Sequence, residues 1–167
     1  MKLDILIVDF ALLVLVFIPY VLFIFIGSRE VRKLKNKFKE EALHHQLIID
    51  EKDSWNSNII GVDTKKAIIL LVQNRKTEVH AEFIKLKEVK NCEILREVQT
   101  LKIDKRTEEI LQRIDLRLTC RNDSIRIVNL YNCEENYAQE YELKHAEKWN
   151  NKINSMISYR PAVNSAA

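Results

Sequence analysis

Phe10–Ile26 is a run of 17 residues without a charge, and it constrains the chain more than any other feature. Extended back to Ile5, the run covers 22 residues and is broken only by Asp9. At about 1.5 Å per helical residue, these lengths bracket the roughly 30 Å hydrocarbon core of a bilayer. Pro19 would kink or break a helix in water but is tolerated within a membrane span. The run is expected to cross a bilayer once, as an anchor over residues 1–27, with Asp9 near the outer interface where it stays hydrated. A cleaved signal peptide fits less well. Lys2 is offset by Asp4, and bulky Phe23, Ile24, Phe25 and Ile26 stand where a small-residue cleavage site would be needed. A core helix that is apolar all round does not suit so short a chain.

The flanks orient the anchor. Arg29, Arg32, Lys33, Lys35, Lys37 and Lys39 follow it, opposed only by Glu30 before Glu40 is reached. The N-terminal side offers Lys2 and the α-amino group. The positive-inside rule then predicts an N-terminus outside, the remainder in the cytoplasm, and a single-pass protein of the cell membrane. Residues 28–50 read as a basic helical stalk, because Val31, Leu34 and Phe38 recur at helical spacing, with Leu43 and Leu47 beyond them. Its six basic residues are lipid-headgroup candidates, each worth roughly 1 kcal/mol beside an anionic surface. Since the span already anchors the chain, their expected role is to set topology and stalk orientation. The apolar stripe could also pair with a second copy as a short coiled coil, giving a homodimer through the stalk. His44 and His45, about 100° apart on a helix, make a poor metal chelate.

Composition excludes several classes. Gly27 and Gly61 are the only glycines, so no glycine-rich loop can cradle a phosphate. A net charge of +3 is too mild for a dedicated nucleic-acid binder. Cys92, Cys120 and Cys133 are odd in number and form no Cys-x-x-Cys pair, which suits small buried thiols in a reducing compartment. No metal site, cofactor or small-molecule substrate is implied.

From Trp55 the periodicity becomes strand-like, and residues 55–158 read as one domain. Ile59–Val62 and Ala67–Val72 form a hairpin around Asp63, Thr64, Lys65 and Lys66, and the continuously apolar second run is expected to be buried on both faces. Asn74–Val79 reads as a polar loop. Ala81–Leu86 is a third strand, and a fourth starts at Cys92–Leu95. The stretch from Leu101 to Glu109 reads as a connection. Ile114, Leu116, Leu118 and Cys120 alternate with Asp115, Arg117, Thr119 and Arg121, as in a sheet with one dry and one wet face. Asn122 and Asp123 turn the chain into Ser124–Tyr131. Leu143, Ala146, Trp149, Ile153, Met156 and Ile157 then fall on one face of a closing helix. Residues 159–167 read as a disordered tail. The fold class is α+β: an N-terminal transmembrane helix and basic helical stalk, then an antiparallel sheet closed by an amphipathic C-terminal helix.

Antiparallel strands followed by one amphipathic helix resemble the pleckstrin-homology-like fold, a bent sheet plugged at one end by such a helix. Ala81–Leu86, a charged turn holding Val89, and then Asn91-Cys92-Glu93-Ile94-Leu95 resemble the third-to-fourth strand corner of bacterial, membrane-anchored members. Two roles follow from that resemblance. One is phosphoinositide or other anionic-lipid recognition, for which Lys65, Lys66, Arg75 and Lys76 are the matching basic residues, without the longer array of good binders. The other is protein binding as a scaffold, which suits a domain tethered beside a membrane.

Catalysis finds little footing in the sequence. Glu93, Asp115 and His145 sit among alternating surface charges, and Ser54, Ser124 and the cysteines lack a local nucleophile signature. The leading expectation is a membrane-tethered interaction or scaffold domain without catalysis. A lipid-sensing module is the second reading and an enzyme of unrecognised type the third. A protein partner would use exposed aromatic side chains, with Trp55 and Tyr137 as candidates, while Tyr131 and Trp149 read as core.

Overall fold

In the computed structural model the described residues are 2–75, 78–103, 106–135 and 141–158. The chain opens with one uninterrupted helix, α1 (Lys2–His44), which carries Pro19 inside it. Its end is closed by a doubled backbone cap. Leu47 N–H donates to Ala42 O at 2.7 Å and Gln46 N–H to Leu43 O at 2.9 Å, with Gln46 at a left-handed φ of 51°. The Lys66 ammonium adds bonds to the carbonyls of His45 at 3.1 Å and Gln46 at 2.7 Å, placing a cation at the negative end of the helix.

Four short strands follow: β1 (Glu51–Trp55), β2 (Asn58–Asp63), β3 (Ile68–Arg75) and β4 (Glu78–Lys85). They pair antiparallel in the order β1-β2-β3-β4. A second antiparallel sheet, β5-β6-β7, is built from β5 (Val89–Ile103), β6 (Arg106–Cys120) and β7 (Ile125–Asn132). Helix α2 (Glu142–Ser158) ends the described chain. The architecture is α+β, with two antiparallel sheets of four and three strands.

The first sheet lies between two apolar layers. Ile60, Val62, Ile69 and Leu71 face a core shared with Ile114, Leu116, Leu118, Val128 and Leu130 of the second sheet and Ala146, Trp149 and Ile153 of α2. Ile59, Leu70 and Val72 face the other way, onto Leu34, Phe38 and Ala42 of α1. That second cover explains why Ile69–Val72 are buried on both faces, as the unbroken apolar run implied. Gly61 sits beneath the Phe38 ring of α1 and the Ile49 side chain. A Cβ there would lie 2.7 Å from Phe38 Cζ and 2.9 Å from Ile49 Cγ2, so the strand needs a residue without a side chain.

Several expectations change. Residues 28–50 do not form a free stalk, because Leu34, Phe38 and Ala42 are buried on the protein's own sheet. The stripe that suggested a coiled-coil dimer is therefore largely occupied, with Val31 and Leu43 left exposed. Residues 51–54, between the expected stalk and the expected domain, form edge strand β1 together with Trp55. Its sequence EKDSW is polar because alternate side chains meet solvent. Of the polar stretch 74–79, residues 74–75 belong to β3 and 78–79 to β4, and of the supposed connection 101–109, residues 101–103 end β5 and 106–109 begin β6, paired with one another.

The two sheets are joined along a polar seam at β7, an edge strand. Ile114 pairs with Tyr131 while Asp115 pairs with Asn129, which makes Leu130 a bulge without a ladder partner. The Asn58 amide donates to Leu130 O at 2.9 Å, and the Gln73 amide donates to Asn129 O at 2.8 Å and to Asn58 Oδ1 at 2.7 Å. The Asn129 amide reaches Asp115 Oδ1 at 2.7 Å, and Arg113 Nε donates to Asp115 Oδ2 at 2.7 Å. Asp115, expected to be a solvated strand charge, is buried in this network. Side-chain amides thus stand in for the strand that β7 lacks.

Candidate functional site

Helix α2 bridges the two edge strands on the open side of the sandwich. On β5, the Asn154 amide donates to Cys92 O at 2.8 Å and its oxygen accepts from Cys92 N–H at 3.0 Å, imitating a strand neighbour. On β1, His145 stacks flat on Trp55, with ring centroids 4.6 Å apart and planes 5° apart. The same imidazole places Nδ1 2.9 Å from Asp53 Oδ2. Lys148 reaches Asp53 at 3.2 Å and Glu51 at 3.4 Å, and Lys152 reaches Glu51 at 2.8 Å. Asn56 and Glu142 pair side chain to side chain where α2 begins.

This cluster gathers the acidic and basic groups that a catalytic reading would want, but they satisfy one another. Burial pushes the Asp53 carboxyl up, and hydrogen bonds from His145 and Lys148 outweigh it, holding the group below its ordinary value. The Lys152 bond leads in holding Glu51 low. Carboxyls depressed in the folded state contribute stability above their unfolded values and lose it as pH falls through the folded ones. Asp53→Asn should therefore flatten the acid side of the stability curve. Wild type is expected to lose about 1 kcal/mol more than the variant between neutral pH and roughly pH 3. Denaturant unfolding at a series of pH values reads this, and parallel curves for the two proteins would remove Asp53 from the clasp's energetics.

Trp55, expected as an exposed anchor, is only 3 % exposed and belongs to the core, because α2 covers it. Tyr137 and Lys76 lie outside the described residues. The remaining basic candidates do not form one array. Lys65 is exposed on the β2–β3 turn, where Lys66 is spent on the end of α1. Arg75 lies at the other end of the sheet, bonded to Gln73 Oε1 at 2.7 Å. On α1, Arg29, Arg32, Lys35 and Lys39 are exposed, while Lys33 pairs with Glu30 at 2.8 Å and Lys37 with Glu41 at 2.9 Å.

The cysteines are free. Burial, with a smaller contribution from the charge of Glu93, pushes the Cys92 thiol up to about 12, so it is inert as a nucleophile. Among the described residues no three His, Cys, Asp or Glu side chains are placed to hold a metal ion. A depression of 590 Å³ between β6 and the start of α2, lined by Leu111, Tyr141, Leu143 and charged neighbours, opens widely to solvent.

Within the apolar N-terminal run the described side chains are those of residues 12–19 and 21, and all are exposed. Among the described residues no helix is long and apolar enough to cross a membrane. The transmembrane helix expected over residues 10–26 therefore finds no support among the described residues.

No protein-family model matches the chain, and no curated protein or solved structure does either.

Proposed function

We propose that the chain is a single-pass membrane protein whose folded part serves as an interaction or scaffold domain without catalysis. One observation carries the anchor: α1 is continuous through the uncharged run, and the described side chains within that run, those of residues 12–19 and 21, are all exposed. Leu12, Leu13, Leu15, Val16, Phe17 and Ile18 are all exposed, Leu15 at 71 %. A patch of that kind needs an apolar environment, and a run of 17 uncharged residues matches a bilayer. The basic flank from Arg29 to Lys39 supports an N-terminus outside and a cytoplasmic domain.

A four-plus-three pair of antiparallel sheets closed by a C-terminal helix supports the pleckstrin-homology-like reading. The ion pairs of Glu51, Asp53, His145, Lys148 and Lys152 support a structural rather than a chemical use of those groups. Lipid sensing through Lys65, Lys66, Arg75 and Lys76 is the weaker reading, since Lys66 and Arg75 are engaged at opposite ends of the first sheet.

The anchor is tested by alkaline carbonate extraction of membranes from expressing cells. The full chain should stay with the lipid pellet and need detergent for release, and a chain with Leu15→Arg and Ile18→Arg should shift into the supernatant. Release of the unaltered chain by carbonate would overturn the proposal.

A further inference from the structure

The C-terminal part of helix α1 lies along the first sheet and is held at two points. Two thirds of the way along α1, Glu30 Oε2 accepts from the Asn74 amide at 3.2 Å, at the end of β3. At its C-terminus the carbonyls of His45 and Gln46 accept from Lys66, on the β2–β3 turn. Leu34, Phe38 and Ala42 are buried on the sheet between these points. The sheet therefore has one end level with Glu30 and the other level with His45, about 22 Å further along the helix axis.

This geometry meets the apolar run almost at once. Glu30 follows Ile26 by four residues, about 6 Å of helix. The polar layer of each leaflet is about 5–8 Å deep, the difference between a bilayer of roughly 40–45 Å and its 30 Å core. A group held to Glu30 is therefore at headgroup depth. No flexible joint intervenes, because α1 is helical throughout. The charges at that level suit an anionic surface: Arg29 and Arg32 are exposed, and Glu30 is neutralised by Lys33 at 2.8 Å.

We infer that the end of the sandwich carrying Asn74, Arg75, Glu78 and the β1–β2 turn lies against the lipid headgroup layer, with the β2–β3 turn facing away from the membrane. The surface partner is the anionic bilayer itself. The domain is clamped beneath it rather than carried on a swinging stalk, and protein partners are left the distal end and the outer face of the second sheet. This rests on the membrane-span reading, and the test separates the two.

Fluorophores are attached to the full-length protein at Glu78→Cys, Lys65→Cys or Leu15→Cys, with Cys120 and Cys133 replaced by serine. Glu78, Lys65 and Leu15 are all exposed, and Cys92 is buried. The proteins are reconstituted into mixed phosphatidylcholine and phosphatidylglycerol vesicles doped with lipids that carry a quencher either on the headgroup or on the acyl chain. The headgroup quencher is expected to quench the Glu78 position several-fold more than the Lys65 position. Equal quenching, or the reverse order, with the Leu15 position still quenched from the acyl chain, overturns the apposition and leaves the span intact. A Leu15 position untouched by the acyl-chain quencher overturns the span, and the apposition with it.

Discussion

Trp149→Ala should cost about 3–5 kcal/mol of folding stability, a large part of the 5–15 kcal/mol that a domain of this kind possesses. Trp149 is fully buried and is the largest such side chain among the described residues. It stands on α2 between Ala146 and Ile153, against the inner faces of both sheets. Truncation would leave a cavity that neither sheet can close, because each is fixed by its own strand pairing. Trp149→Phe should be far milder. It keeps most of the bulk and removes an indole N–H that, among the described residues, has no acceptor. Denaturant midpoints for the two variants decide the matter. If they are equal, volume is not what Trp149 contributes.

Gly61→Val should detach α1 from the first sheet and cost at least about 2 kcal/mol. The first added carbon already overlaps Phe38 Cζ and Ile49 Cγ2. The Ile49 methyl sits on a stiff branched carbon, and the Phe38 ring is held in a buried layer, so neither can swing aside cheaply. Losing the contact uncovers Ile59, Leu70 and Val72, each a side chain worth roughly 1.5–3 kcal/mol when fully buried. Hydrogen exchange at the amides of residues 34–44 should quicken in the variant while β5 and β6 stay protected. Unchanged exchange would show that α1 does not depend on Gly61. A fragment starting at Asp50 should fail for the same reason, since it uncovers this face entirely. One starting at Arg29 should remain monomeric.

The legible parts of this fold are those in which a periodic pattern had one physical cause. Alternation from Ile114 to Cys120 located β6, and helical spacing from Leu143 to Ile157 located α2. The run Ala67–Val72 announced a strand buried on both sides, but its second cover lay in the segment read as a stalk. Leu34 and Phe38 were visible as a stripe, and a stripe does not say which surface it meets. Strand β1 was hidden because an edge strand facing solvent on one side carries the same polar residues as a loop. The extended β5–β6 hairpin was hidden because its outer half, around Gln99 and Thr100, packs little. Trp55 and Asp115 were misplaced because burial depends on long-range partners, α2 for one and Asn129 for the other. The seam left a faint trace: Asn58 and Gln73 stand directly at the ends of apolar runs, where an amide can reach a neighbouring backbone.

The proposed double use of α1, as a span and as a cover for the first sheet, also bears on how the protein is made. Translation releases the helix first, and the strands that need it follow only some tens of residues later. At roughly 5–20 residues per second, Val72 leaves the ribosome within seconds of Leu34. With its first half inserted in the bilayer, the second half would wait at the membrane surface as a template for the nascent sheet. The apolar outer face of β2 and β3 would then be covered as it forms, and biogenesis at the membrane would itself protect the chain from aggregation.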